Sequence, residues 1–377
     1  MSKGLVAVAM SGGVDSAVAA YLLKEAGFQV IGVTMRLWTL YRPDAPRLSR
    51  SCCSIEDVDD ARRVCQIIGT PHYFMNFERE FREFVVDYFV QEYRRGRTPY
   101  PCLACNDKLK FSFLLEQAQV FQADYIATGH YAQRALGDDG AWRLLKGADP
   151  LKDQSYVLFQ LTQRQLARIL LPVGSYTKAE TRRMARLAGL PVADKPDSQE
   201  ICFVPDGNYR AFLEERLPRA PGPIVDLEGR VLGYHQGIYG FTIGQRHGLG
   251  LASREPLYVI DIDAEQSRVT VGPQAALLST TLWASSVNWI AGPPPTTPVR
   301  VSARIRYRST EAPGLVFPNG ASAEVRFQEP QRAITPGQAV VFYQGPEVLG
   351  GGIIEGVGPP AGMVGEAMAA GSQTVQS

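Results

Sequence analysis

The chain has 377 residues, 45% hydrophobic and 20% charged, with a net charge of +1. That length allows two or three domains with separate cores, and the composition is that of a soluble globular protein. No apolar run nears the ~20 residues of a membrane span, and the near-zero charge argues against a dedicated nucleic-acid binder, which is usually basic over its domain.

The N-terminus enters a strand almost at once and shows no signal peptide, so a cytoplasmic location is expected. Over the first 205 residues, strand and helix patterns alternate, as a parallel sheet flanked by helices requires. GLVAVAM (4–10) predicts a strand and SAVAAYLLKEAG (16–27) a helix ending at Gly27. FQVIGVTMRLW (28–38) predicts the next strand, and residues 55–68 a helix capped by Ser54. HYFMNF (72–77) reads as a strand, and residues 78–96 as a long amphipathic helix. DYIATGH (124–130) predicts a short strand with polar residues at its C-terminal end, where open α/β sheets bind ligands.

The texture changes near Pro205. Residues 217–252 are rich in Gly and Pro, and 258–272 read as a hairpin. From Thr281 to about Glu355 the alternation is β throughout, which suggests a small barrel or sandwich. One of those strands, 297–309, would put Arg304, Arg306 and Arg308 on one face. Residues 359–377 carry little apolar content and are expected to be disordered. The expected units are 1–205, 206–275, 276–358 and that tail.

Ser11-Gly12-Gly13-Val14-Asp15-Ser16 links the first strand to the first helix. Glycines permit tight turns and close backbone approach, and N–H groups at a helix start attract anions. The string lacks the lysine of a Walker loop, so no cation is aimed at a transferred γ-phosphate. Asp15 is placed to hold Mg²⁺ on a pyrophosphate. An ordinary capped turn is the bland reading, and the full string outweighs it.

Cys102 and Cys105 form C-x-x-C, followed by Lys108 and Lys110. Nearby cations lower a thiol pKa. A redox dithiol, half a zinc site and chance are all compatible with one such pair. Cys202 lies in a polar loop, Cys65 reads as a buried inert thiol, and Cys52 and Cys53 lean structural. No histidine pair has helical metal spacing, so no protein-held metal is expected. His130 ends a strand where a ligand would sit, whereas His72, His235 and His247 read as structural. Arg182, Arg183 and Arg186 read as a solvated helix face, and Lys152-Asp153-Gln154 as a hydrophilic surface loop.

Together SGGVDS, TPYPCLACN, GHYA, KDQSYVL, DSQEICF, HQGIYGFTIGQRHGLG and ARIRYR, in that order, resemble the tRNA-specific 2-thiouridylase family of the ATP pyrophosphatases. The resemblance spans about residues 5–355. It implies an N-terminal α/β catalytic domain, a small central domain and a C-terminal β-barrel. It implies an ATP site at Ala9, Met10, Ser11, Gly12, Gly13, Val14, Asp15, Ser16, Met35 and Gly129, with Mg²⁺ accompanying the nucleotide. The family nucleophile falls on Cys105 and the persulfide carrier on Cys202. Contacts to the tRNA anticodon arm fall on His130, Lys152, Asp153, Gln154, Arg306, Tyr307 and Gln338, and the target-base loop on Tyr100, Pro101 and Cys102. Some members carry Asp where this chain has Cys102, so a general acid/base role for that Asp does not transfer directly.

The implied reaction adenylates the wobble uridine, releases pyrophosphate, and replaces the activated oxygen with sulfur. A cysteine desulfurase or relay protein would load Cys202, and turnover would leave a Cys105–Cys202 disulfide. Two other classes fit parts of the sequence: an amidating synthetase acting on a small molecule, and a nucleotide- or RNA-binding protein without catalysis. An iron–sulfur variant, with Cys102, Cys105 and Cys202 as ligands, is a further possibility and the less favoured one.

Overall fold

The computed structural model describes residues 3–38, 55–197, 201–204 and 207–357. Ser54, Cys52, Cys53 and the 359–377 tail lie outside the described residues. The first seven strands are β1 (Leu5–Ala9), β2 (Gln29–Arg36), β3 (His72–Asn76), β4 (Tyr125–Ala127), β5 (Ala132–Leu136), β6 (Trp142–Lys146) and β7 (Ile169–Leu170). Five of them form a parallel sheet in the order β3-β2-β1-β4-β7. Val6, Ala7 and Val8 of the central strand are fully buried, because helices cover both faces of a parallel sheet. The strand order reverses at β1, which opens a crevice at the C-terminal ends of β1 and β4.

Helix α1 (Val14–Glu25) follows β1 directly, and Gly27, at φ +88°, turns the chain back into β2. Helix α2 (Ile55–Ile67) leads to β3. The long helix expected from residue 78 is present but not uniform: Arg82–Asp87 widens into π-helical turns. A second helical run starts with Pro101 in its first turn and widens over Cys105–Phe113. Widened turns of this kind concentrate at functional sites.

Sequence analysis did not assign β5 and β6. They form an antiparallel hairpin that leaves the parallel sheet and joins the C-terminal unit. The central unit holds β8 (Gly222–Val225), β9 (Val231–His235), β10 (Tyr258–Asp263) and β11 (Arg268–Gly272), in the order β10-β11-β8-β9, with the expected 258–272 hairpin.

The last six strands are β12 (Leu278–Trp289), β13 (Val299–Arg304), β14 (Ala312–Asn319), β15 (Ser322–Arg332), β16 (Ala339–Gln344) and β17 (Glu347–Gly356). Pairing of β17 back onto β12 closes them into a barrel, which decides between the barrel and the sandwich. Its interior holds Leu282, Val316, Val325, Phe342 and Ile354. On its outside, β17 also pairs with β6, so the barrel and the α/β unit share hydrogen bonds. The expected face of three arginines does not form. Strand β13 ends at Arg304, and Arg306 and Arg308 lie in the turn before β14, where the Arg306 N–H donates to Ser309 Oγ.

Candidate active site

The crevice is floored by the loop Ser11–Ser16. Gly12 sits at φ +71°, and a Cβ there would overlap the Asp57 carbonyl, so only glycine lets α2 close on the loop. Gly13 is the N-cap of α1 and supplies no side-chain cap. Ser16 Oγ instead donates to the Gly13 carbonyl (3.1 Å) and receives the Ser11 N–H (3.2 Å). A Cβ on Gly13 would meet nothing nearer than Ser11 Oγ at 3.4 Å, so there is room in front of the helix start. From the end of β4, Gly129 presses on the same turn: a Cβ there would stand 2.6 Å from Asp15 C and Ser16 N. Met35, buried at the end of β2, completes the set of strand ends.

The cation missing from the loop arrives from far along the chain. Lys178 Nζ lies 2.8 Å from each oxygen of Asp15, and the Tyr131 hydroxyl donates to Asp15 Oδ1 at 2.7 Å. Lys178 also pairs with Asp197 (2.8 Å), which takes Lys152 (2.8 Å) and Arg182 (3.1 Å) as well. Burial alone would raise the Asp197 pKa, but the Lys152 and Lys178 ammonium groups outweigh it and pull the carboxyl down to about 2. Lys195 donates to the Gly12 carbonyl (3.0 Å) and pairs with Asp57 and Asp60 (2.6 Å each). Burial opposes its charge, yet those two carboxylates hold its pKa above the usual value.

Sequence reasoning missed Lys178, Lys195, Tyr131 and Asp197. The Thr177–Glu180 capping box marks a helix start, but nothing local says that Lys178 points at residue 15. Arg182, read as solvated, is turned inward and also donates to the Ala193 and Lys195 carbonyls; Arg183 and Arg186 are exposed, as expected.

Cys102 is exposed in the first turn of its helix, and Cys105 is buried where the π-helical turns begin. Cys202 is half-buried. Its neighbour Phe203 is fully buried among Phe81, Phe89 and Phe212, with ring centroids 5.8, 5.2 and 5.3 Å away. Cys65 is buried as expected, and burial raises its thiol pKa, outweighing the opposite influence of the Thr70 hydroxyl. Among the described residues no group of three His, Cys, Asp or Glu side chains is arranged to hold a metal ion.

The expected RNA-facing residues divide. Tyr100 stacks on Tyr307 of the barrel (5.9 Å, 27°), and Tyr156 packs 5.9 Å from Tyr307. Burial raises the Tyr100 phenol pKa, and the neighbouring Cys102 adds to it. Gln338 donates to the Thr98 carbonyl (2.8 Å), and Arg306 Nη2 to the Arg332 carbonyl (2.9 Å). Tyr100, Tyr307 and Gln338 therefore bridge the α/β unit and the barrel, with Cys102 beside Tyr100, whereas Pro101 is buried in the first turn of its helix and the Arg306 bond stays within the barrel.

Asp153 and Gln154 have other work. Asp153 is buried, pairs with Arg304 (3.1 Å) and accepts the Gly147 and Ser155 N–H groups. The Gln154 side chain accepts the Tyr131 N–H. The surface-loop reading holds only for Lys152, which is half-exposed beside Asp197. His130 is buried against Phe111 and shares a 2.8 Å hydrogen bond with Thr128; burial, then Lys110, keeps it neutral. His72 and His235 are structural, bonded to Thr34 and the Ser267 carbonyl, whereas His247 is exposed.

One hydrophobic cluster connects these parts. It contains Ala9, Met35 and Cys105, and Tyr100, Cys202 and Tyr307 pack against it. The end of β1, the end of β2, both candidate thiols and the aromatic seam thus share one packed body, while Val14 of the loop packs in the neighbouring cluster on the other side of the sheet's first strand.

Residues 4–206 match the family described as tRNA methyl transferase HUP domain, 210–273 its PRC-barrel domain, and 279–354 the aminomethyltransferase β-barrel domain. The tRNA-specific 2-thiouridylase MnmA of Geotalea uraniireducens is 53% identical over 355 residues, covering 93% of this chain and 94% of that one. The protein of the same name from Symbiobacterium thermophilum is 53% identical over 359 residues, covering 93% and 92%.

Proposed function

The chain belongs to the tRNA-specific 2-thiouridylase family, and from that premise we propose how its residues divide the reaction between them. The protein makes 2-thiouridine in tRNA at the expense of ATP. The observation that carries the assignment of parts is the single cluster joining Ala9 and Met35 to Cys105, Cys202, Tyr100 and Tyr307.

The start of α1, without a side-chain cap and with space before Gly13, suits the phosphates of ATP. Asp15 is an oxygen donor within the loop. Magnesium riding on nucleotide phosphates needs only one or two carboxylates, so the residues present fit it. Bound there, the ion would offset charge on the phosphates. Ala9 to Ser16, Met35 and Gly129 hold the nucleotide so that its α-phosphorus faces the uracil carbonyl oxygen. Bond formation between them expels pyrophosphate, and the oxygen can then leave as part of AMP.

Of Cys105 and Cys202, the half-buried Cys202 is the one a protein donor can reach, and a cysteine desulfurase or relay protein loads it with sulfur. Cys105, buried, resolves the persulfide. The sulfur attacks the activated carbon either as the Cys202 persulfide or as hydrosulfide released by Cys105, and both routes end in a Cys105–Cys202 disulfide. Regeneration by cellular reductants suits a cytoplasmic setting. The target uridine leaves its stack to reach Tyr100, Pro101 and Cys102. Lys152, Arg306, Tyr307 and Gln338 meet the anticodon arm, while His130, Asp153 and Gln154 shape the surface beneath it.

Nucleoside mass spectrometry of tRNA incubated with protein, ATP, Mg²⁺ and a sulfur donor tests the reading. Wobble 2-thiouridine is expected, with AMP and pyrophosphate in step. Pyrophosphate release without tRNA, and no thionucleoside, would favour the small-molecule synthetase instead.

A further inference from the structure

We propose that Lys178 binds the departing pyrophosphate, supplying in space the cation that SGGVDS lacks in sequence. The proposal rests on the loop being the ATP site and adds a residue to it. Lys178 is 8% exposed, so its ammonium is committed to this crevice and not to solvent. It lies 2.8 Å from both oxygens of Asp15, one residue before Ser16 in the first turn of α1. Any phosphate seated on that turn lies beside it.

The ammonium is also held so that it can change partners. It bridges Asp15 and Asp197, and Asp197 keeps Lys152 and Arg182 when Lys178 turns away. Asp15 keeps the Tyr131 hydroxyl, and a cation arriving with the nucleotide can take the place of the ammonium. Moving Lys178 from carboxylate to phosphate therefore strands neither carboxylate. Its backbone stays fixed meanwhile, because its N–H donates to Asp149 Oδ2 (3.0 Å) and Thr177 caps the helix.

The contribution is made where charge develops. The bond between the α-phosphorus and the bridging oxygen breaks as the uracil oxygen bonds to phosphorus. The electron pair stays on the pyrophosphate, whose added negative charge an adjacent ammonium stabilises. Lys195 differs: it donates to the Gly12 carbonyl and is held by Asp57 and Asp60, which fixes it as a prop for the loop.

Calorimetric titration of the full chain with inorganic pyrophosphate and Mg²⁺, and separately with AMP, tests this. Lys178→Met should weaken pyrophosphate binding by about tenfold or more, the worth of one charge-assisted contact, with AMP affinity unchanged. Lys178→Arg should recover part of the loss. Unchanged pyrophosphate affinity in Lys178→Met would overturn the proposal. If that variant loses both ligands, Asp197→Asn decides: it frees Lys178 from one carboxylate, so pyrophosphate should bind at least as tightly as to wild type, and weaker binding would count against the role. Wild-type protein that binds neither ligand would instead refute the loop as the ATP site.

Discussion

The cysteine roles proposed above make predictions that separate one thiol from another, and the thiols already differ in burial. Cys202→Ser should accept no persulfide from a donor, whereas Cys105→Ser should accept it at Cys202 and make no thionucleoside; trapping by alkylation and mass spectrometry distinguishes the two. Cys65→Ser should be near normal in the same assay, since that thiol is buried beneath the sheet and its pKa is raised. Cys102→Ser should retain some activity with or without oxygen, because Cys102 is exposed beside Tyr100 and Cys105 is buried. Asp197 makes a second prediction. Its folded pKa, about 2, lies below its ordinary 3.8, so the stability it contributes is present above pH 4 and is lost as pH falls towards 2. Urea midpoints between pH 4 and pH 2 should fall more steeply for wild type than for Asp197→Asn, and parallel slopes would remove Asp197 from the account. Residues inside contiguous motifs were legible in sequence because their spacing carries the chemistry. Lys178 was not, because what defines it is a meeting with Asp15 across 163 positions (178 − 15). Asp197 stands inside DSQEICF, but its part is defined by Lys152 and Lys178, which reach it from elsewhere in the chain. Asp153 was misread for a related reason: Arg304, which makes its burial tolerable, comes from another unit.

At the scale of elements, the site depends on how β4 ends. Gly129 brings its backbone against the first turn of α1 at a distance no other residue allows. Gly129→Ala should push Asp15 and Ser16 outward and weaken ATP binding by an order of magnitude or so, on the scale of one or two lost contacts at the phosphate site. Circular dichroism should show an intact fold, because the added methyl meets only the first turn of α1 and not the sheet. Wild-type ATP affinity in that variant would mean the turn has slack. The apolar runs of β1, β2 and β4 and the Gly27 stop were plain in sequence. The π-helical widening at Cys105 was not, since it changes the hydrogen-bond step without changing the residue pattern. The β5–β6 hairpin was missed too: it is short, and β6 finds its partner β17 two hundred residues later. The arginine turn failed as a strand because Arg306 and Ser309 close it by side chain and backbone.

For the whole molecule, net charge was a poor guide to the partner. A balance of +1 describes the whole chain and not its local surfaces, and the RNA contact proposed above falls where two units join. That seam is firm. Arg97 of the α/β unit pairs with Glu92 (2.7 Å) and with Glu355 of the barrel, Gln338 reaches back to Thr98, and β17 pairs antiparallel with β6. A rigid seam should present Lys152 from one side and Arg306 from the other to a single anticodon arm. Neither side chain is saturated by carboxylates: Lys152 shares Asp197 with two other cations, and the Arg306 guanidinium donates to a backbone carbonyl. Arg306→Ala and Lys152→Ala should each weaken tRNA binding and lower the slope of log affinity against log salt by roughly 0.7–0.9, the release expected for one phosphate contact. The double variant should lose about twice that if both phosphates are held at once, and ATP affinity should change little. Filter binding at several salt concentrations reads the slope directly. A slope equal to wild type for either single variant would make that residue ordinary surface, and a double variant no worse than one single would mean that the two units grip the RNA in turn and not together.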